Sequence, residues 1–252
     1  MKEKKGQTTI FVILGIVIVA VALLLIFLRG QFFFGPVTRE KLQDRFNSIT
    51  DHVQGCIEKI APDYIQRIGS QGGHLKTPDG TYRLMQDVSI SYLCYNIPGK
   101  PICANRMLTL HDMEQELNDA IGQGLKTCLN LGKFKSGVDL KVGTMNVDTV
   151  IGDYDTLVRV NLPIVLSKGE LSVQENSFSK SFNYPLGKLY NVAMDIVDVE
   201  TQYGDFEQLT YMLAHQGQII IDKKKPYPDK LYILNTKDSP YTFQFFIEGE
   251  PS

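Results

Sequence analysis

The feature that most constrains this chain is an unbroken apolar run, residues 10–28, containing no charge, proline or amide. As an α-helix it is roughly 28 Å long, close to the roughly 30 Å hydrocarbon thickness of a bilayer. A cleavable secretory signal has a shorter apolar region followed by a small-x-small site. Here the run ends instead in Arg29, Gly30, Gln31 and the aromatic cluster Phe32, Phe33 and Phe34. A core helix of a soluble domain shows one apolar stripe, whereas this run is apolar all round. The expectation is a retained transmembrane helix in contact with the lipid bilayer. Lys2, Lys4 and Lys5 precede it and only Arg29 follows closely, so the amino terminus is expected in the cytoplasm and all that follows on the outside. No ionisable residue interrupts the span, which argues against an ion path or proton relay through it.

The residues before the run, Lys4-Lys5-Gly6-Gln7-Thr8-Thr9, resemble the class III signal peptide of archaeal type IV pilin-like proteins. The resemblance covers about the first thirty residues. It implies cleavage between Gly6 and Gln7 by a prepilin-type peptidase, retention of the apolar helix, and other pilin-like subunits or cell-envelope proteins as partners. A glycine suits a scissile position because, lacking a Cβ, it lets a protease approach the backbone. Where such pilins often carry Glu at the fifth mature position, this chain has Phe11. Phe11 cannot pair with a neighbour's buried amino terminus, and an unpaired buried charge is costly. A single-helix anchor or a minor subunit is therefore expected rather than a long homopolymer.

The segments divide into a basic leader (1–8), the membrane helix (9–28), a linker (29–37), a helical, cysteine-bearing stretch (38–132) and a β-rich stretch (133–252). From Thr38 the apolar positions Leu42, Phe46, Ile49, Val53, Cys56 or Ile57, Ile60, Tyr64 and Ile68 recur in steps of three and four, one stripe of an amphipathic helix. Pro62 is expected to kink or restart it, since it cannot donate to the Glu58 carbonyl. The glycine pair of "SQGGH" reads as a helix C-cap before strands near 81–85 and 88–95. Thr109 to Asp112 reads as a capping box opening a second helix, with the stripe Leu110, Met113, Leu117, Ile121, Leu125 and Cys128. After Gly132, residues 138–151, 156–167 and 170–184 alternate apolar and polar, as half-buried antiparallel strands do. Helices near 185–200 and 206–214 and three closing strands complete an α+β reading: an N-terminal transmembrane helix, then amphipathic helices packed on an antiparallel sheet.

Four cysteines bear on the compartment. Cys94 and Cys103 bracket a loop built on Pro98-Gly99, and Cys56 and Cys128 each sit late in a helical pattern. Of three possible connectivities, Cys94–Cys103 with Cys56–Cys128 is the expected one. Loop-closure entropy assigns about 2.7 kcal/mol to the short loop and about 4.4 kcal/mol to the long one. Free thiols or a four-cysteine metal site are the alternatives; the absence of a C-x-x-C spacing argues against metal.

A net charge of −2, with both signs interspersed, supplies no basic stripe for nucleic acid. The histidines His52, His74, His111 and His215 share no ligand or triad spacing. His52 reads as a solvated residue on the polar side of its helix, and Asp112, Glu114, Glu116 and Asp119 as carboxylates complementing a helix dipole. "DKKKPYPDK", 222–230, reads as an exposed basic hairpin. No catalytic residue, cofactor or metal is expected. The function expected is that of a non-catalytic surface or interaction module; the alternative is an anchored hydrolase of envelope polymers whose carboxylates show no motif.

Overall fold

A computed structural model describes residues 13–25, 38–98 and 103–249. The basic leader with Gly6 and Gln7, Phe11, the linker with its three phenylalanines and the Pro98-Gly99 tip beyond Pro98 lie outside the described residues. Of the apolar run, residues 13–25 form helix α1. Among the described residues no helix is long and apolar enough to cross a membrane.

Helix α2 (Arg39–Ser70) starts where the Thr38 side chain accepts from the Lys41 N–H, and ends at Gln71 ahead of Gly72 and Gly73, both at positive φ. It continues through Pro62 rather than restarting there. Pro62 leaves the Glu58 carbonyl without its usual donor, but Glu58 is exposed and water can take that place. What changes is the buried stripe, which beyond Ile57 passes to Ala61, Ile65 and Ile68 while Ile60 and Tyr64 are half-buried.

Strands β1 (Tyr82–Met85), β2 (Val88–Asn96) and β3 (Cys103–Asn105) follow. Helix α3 (Leu110–Cys128) opens on a full capping box between Thr109 and Asp112 and buries Met113, Leu117, Ile121 and Leu125. After a 3-10 turn (Leu131–Phe134) come β4 (Asp139–Val142), β5 (Asn146–Ile151), β6 (Thr156–Lys168) and β7 (Leu171–Phe182), then α4 (Leu186–Tyr203), α5 (Gln208–Ala214), β8 (Ile219–Lys224), β9 (Lys230–Thr236) and β10 (Ser239–Ile247).

The strands form two sheets rather than one. A six-stranded sheet runs β1-β2-β10-β9-β8 with β3 added to β2, and β6 is the axis of a four-stranded sheet with β4, β5 and β7. All pairings are antiparallel except β2 with β10, which are parallel at Tyr92↔Phe246 and Cys94↔Ile247. Helix α2 lies across β6 and β7 of one sheet and β10 of the other, with α3 at its side, while α4 packs on β2, β3, β9 and β10. One continuous apolar core joins these layers.

The carboxylates of α3 do more than complement a dipole. Glu114 accepts the Ile151 N–H at 2.9 Å and Asn118 the Thr149 N–H at 2.7 Å, so the helix covers edge donors of β5. At the other sheet, the Met212 sulfur of α5 lies 3.2 Å from the Ile221 nitrogen of edge strand β8. Open strand edges invite pairing with other chains, and side-chain acceptors of this kind blunt them.

Candidate functional site

All four cysteines are paired, and as the spacing implied. Cys56 and Cys128 join α2 to the last turn of α3 with Cα atoms 5.9 Å apart, and Cys94 and Cys103 join β2 to β3 at 5.3 Å. Cys56 and Cys94 are buried, so both bridges are structural rather than exposed redox groups.

The densest constellation of ionisable groups lies where α4 meets β8 and β9. Gly204, at φ 74°, ends α4 in a left-handed turn and swings the chain back, so that the Phe206 N–H reaches Glu200 Oε1 at 3.2 Å. Glu200 is buried, with 2% of its surface exposed. Lys223 and Tyr232 are register partners across β8 and β9. The Tyr232 hydroxyl donates to Glu200 Oε1. Lys230 Nζ donates to Glu200 Oε2 at 2.7 Å and also to the Gly204 carbonyl. Lys223 Nζ donates to Asp205 Oδ1 at 2.6 Å and to the Phe206 carbonyl at 2.8 Å, and lies 4.0 Å from Glu200.

Two cations thus balance two carboxylates. Burial, then the Glu200 carboxylate that accepts its proton, raises the Tyr232 pKa far above its usual value. Asp205 is held below the ordinary carboxylate range, chiefly by its hydrogen bond from Lys223 and then by Lys230. Both amines spend their hydrogen bonds within the cluster. The cluster closes on itself.

A second knot centres on buried Asp229. Its Oδ2 takes Arg83 Nη1 at 2.6 Å and the Tyr92 hydroxyl at 2.8 Å, and its Oδ1 takes the Gly249 N–H at 3.1 Å. Arg83 also donates to the Pro226 carbonyl at 3.0 Å. The segment read as an exposed basic hairpin therefore has Asp229 buried and Lys223 turned inward, with only 4% of the latter's side chain exposed. A signal was present in the sequence: Ile219, Ile221 and Lys223 alternate onto one face of β8, and that face is the buried one.

Accessible titratable groups line a cleft of about 220 Å³ formed by Leu75, Lys76, Glu116, Asp119, Ala120 and Gln123. Glu116 accepts the Leu75 N–H at 2.6 Å and lies 3.4 Å from His74 Nδ1. Burial works to raise its pKa, but hydrogen bonds from His74 and from the main chain of Leu75 and Lys76 outweigh it, so the carboxyl stays below its usual range. An ionised carboxylate with its lone pairs so engaged is a brace rather than a general acid.

The four histidines have different partners. His52 differs from the solvated residue expected: it is half-buried, its ring 5.6 Å from that of Phe134 and its Nδ1 3.4 Å from Lys133 Nζ. His74 faces Glu116, His111 accompanies Gln115 on α3, and His215 stacks on Tyr211. Among the described residues no group of three or more His, Cys, Asp and Glu is placed to hold a metal ion. The chain matches no protein-family model, no curated protein and no solved structure.

Proposed function

We propose that this chain is a membrane-anchored extracytoplasmic protein, held by one helix, whose α+β domain serves the cell envelope as a structural or interaction module rather than as a catalyst. The observation that carries this reading is the state of α1. Every residue from 13 to 25 is exposed, with Ile13 at 57%, Ile16 at 64% and Leu25 at 58%. Among the described residues none covers that apolar surface, and the apolar sequence continues on both sides of it. Lipid is the environment that removes such a surface from water on every side.

Three further features support the reading. The two disulfides suit an oxidising exterior. The Glu200 and Asp229 clusters pair their own charges instead of presenting them to a substrate. The leader with Gly6 and Gln7 resembles a site for a prepilin-type peptidase, whose action would keep the helix as the anchor.

The test is fractionation of native cells followed by mass analysis. The protein should pellet with membranes through alkaline carbonate and be reached by external protease only in its folded domain. Its amino terminus should be Gln7. Release by carbonate would sink the anchor, and a terminus at Met1 or Lys2 would remove the peptidase from the account.

A further inference from the structure

Chain length locates the end of the domain that lies nearest the anchor. Residues 29–37 join the apolar run to α2 and extend to at most about 30 Å. The first turns of α2 are therefore tethered close to the bilayer. Two other segments share that end. Arg45 Nη1 donates to the Ser136 carbonyl at 2.8 Å, which brings the 3-10 turn and the loop after it beside the start of α2. The tip of the β6–β7 hairpin faces the same loop, with Ser167, Lys168 and Gly169 lining one cleft together with Gly137, Val138 and Asp139.

Two contacts further along, Lys180 with Glu58 at 2.6 Å and Tyr184 with Gln66 at 3.1 Å, show α2 and β7 running side by side. From Glu58 back to Arg39 the helix covers roughly 28 Å, and from Lys180 back to Leu171 the strand covers roughly 30 Å. The hairpin tip is level with the start of α2.

This end is cationic on a chain whose net charge is −2. Arg39, Lys41, Arg45, Lys133, Lys135 and Lys168 are all exposed there. Glu40, Asp44, Asp139 and Glu170 are the carboxylates of the same segments, and Asp139 is already engaged by Lys141 at 3.8 Å. Arg45 is tied to Ser136 and Lys133 to His52, which leaves Arg39, Lys41, Lys135 and Lys168 as the outward groups.

We propose that this end of the domain docks on the anionic phosphate headgroups of the bilayer that holds the anchor, through Arg39, Lys41, Lys135 and Lys168. The inference rests on the anchor reading, because the tether is what presents these cations to lipid at high effective concentration. Charge complementarity selects the surface: anionic lipid attracts Lys and Arg within about one screening length, about 10 Å at ordinary salt. Docking would lay the start of α2 against the membrane and hold the opposite end of the domain outward.

The chain contains no tryptophan, so a single Trp at exposed Ser136 (Ser136→Trp) reports this end alone. Full-length protein carrying it is reconstituted into vesicles of neutral phosphatidylcholine, or of the same lipid with phosphatidylglycerol, each with a dansyl-labelled headgroup as energy acceptor. Transfer should be several-fold greater in the anionic vesicles. It should fall to the neutral value near 1 M salt, where the screening length is about 3 Å. The excess transfer should weaken by at least about fivefold for each of Lys41→Glu, Lys135→Glu and Lys168→Glu, since each variant loses a cation and gains a carboxylate. Retention of both disulfides on non-reducing gels establishes that these surface variants are folded. Equal transfer in the two kinds of vesicle, from protein that floats with both, overturns the docking and leaves the anchor in place. Protein that floats with neither overturns both.

Discussion

The Tyr241 hydroxyl donates a hydrogen bond to the main-chain oxygen of Ile65, 2.8 Å away, and so ties β10 to α2 across 176 residues of chain. Tyr241 is buried against Gly69, and a Cβ added to Gly69 would meet the phenol oxygen and stand 2.6 Å from the Thr242 carbonyl. Close packing of helix on strand depends on that missing side chain.

Gly69→Ala should therefore destabilise the domain by about 1–3 kcal/mol through overpacking. Tyr241→Phe, which loses one hydrogen bond, should cost about 1 kcal/mol. The double variant should be more stable than the sum of the two predicts, because removing the hydroxyl makes room for the methyl. Recovery should be partial, since the Thr242 carbonyl remains. Denaturant midpoints of the four proteins in detergent test the non-additivity.

The two disulfides should contribute unequally. Cys56–Cys128 closes a separation of 72 residues and Cys94–Cys103 one of 9. Replacing the first pair by Ser should cost about 4 kcal/mol and the second about 3 kcal/mol on loop entropy. The ranking is the measurable point, and equal losses in denaturant unfolding would contradict it.

Within the α4–β8–β9 cluster, Lys230→Met should harm the fold more than Lys223→Met, although Lys223 is the more buried of the two. Losing Lys230 strips buried Glu200 of its close cation and leaves Lys223 4.0 Å away. Losing Lys223 takes from Asp205 its nearest cation but leaves Lys230 3.2 Å away, and the Asp205 side chain is 61% exposed and can be hydrated. Breaking a buried pair typically costs about 3–5 kcal/mol, so Lys230→Met should fall in that range. Thermal midpoints that rank the two variants the other way would show that burial of the cation, not of the carboxylate, governs the cluster.

His52 should make stability fall in mild acid. Burial, and then nearby Lys133, lower its pKa, with the Cys128 main chain pulling partly in the other direction. The unfolded chain then binds this proton more readily than the folded one, so the stability is present above the ordinary histidine value of about 6.5 and is lost as pH drops below it. A histidine that cannot protonate removes the effect. His52→Gln should flatten the pH dependence of the melting temperature between about pH 7 and pH 5, and an unchanged profile would assign the acid sensitivity elsewhere.

Much of the secondary structure was legible because local rules dominate it. The stripe through Leu42, Phe46, Ile49 and Val53, the Thr109–Asp112 capping box and the alternation along β5 and β6 each depend on residues close in sequence. The cysteine pairing was legible because one loop is short and the other two cysteines close helical patterns. Other features depend on partners far along the chain. That β2 pairs in parallel with β10 is written in neither strand alone. That α2 continues through Pro62 turns on whether water can take the place of the donor missing at the Glu58 carbonyl, which is a tertiary fact. The Glu200 cluster was missed because Lys223 reads as one cation in a basic run until alternation from Ile219 and Ile221 is given precedence over composition.

The parallel β2–β10 pair has a consequence for the order in which the sheet can close. β10 follows every other element yet sits inside the six-stranded sheet, between β2 and β9. Until β10 is supplied, β2 lacks its inner neighbour and α2 lacks the strand that carries Tyr241. Synthesis of the preceding elements therefore leaves the sheet divided, with β1–β3 on one side of the gap and β8–β9 on the other. The two halves of that sheet join only through β10, which pairs with β2 on one side and β9 on the other. The order of strands thus makes closure of the six-stranded sheet wait on β10.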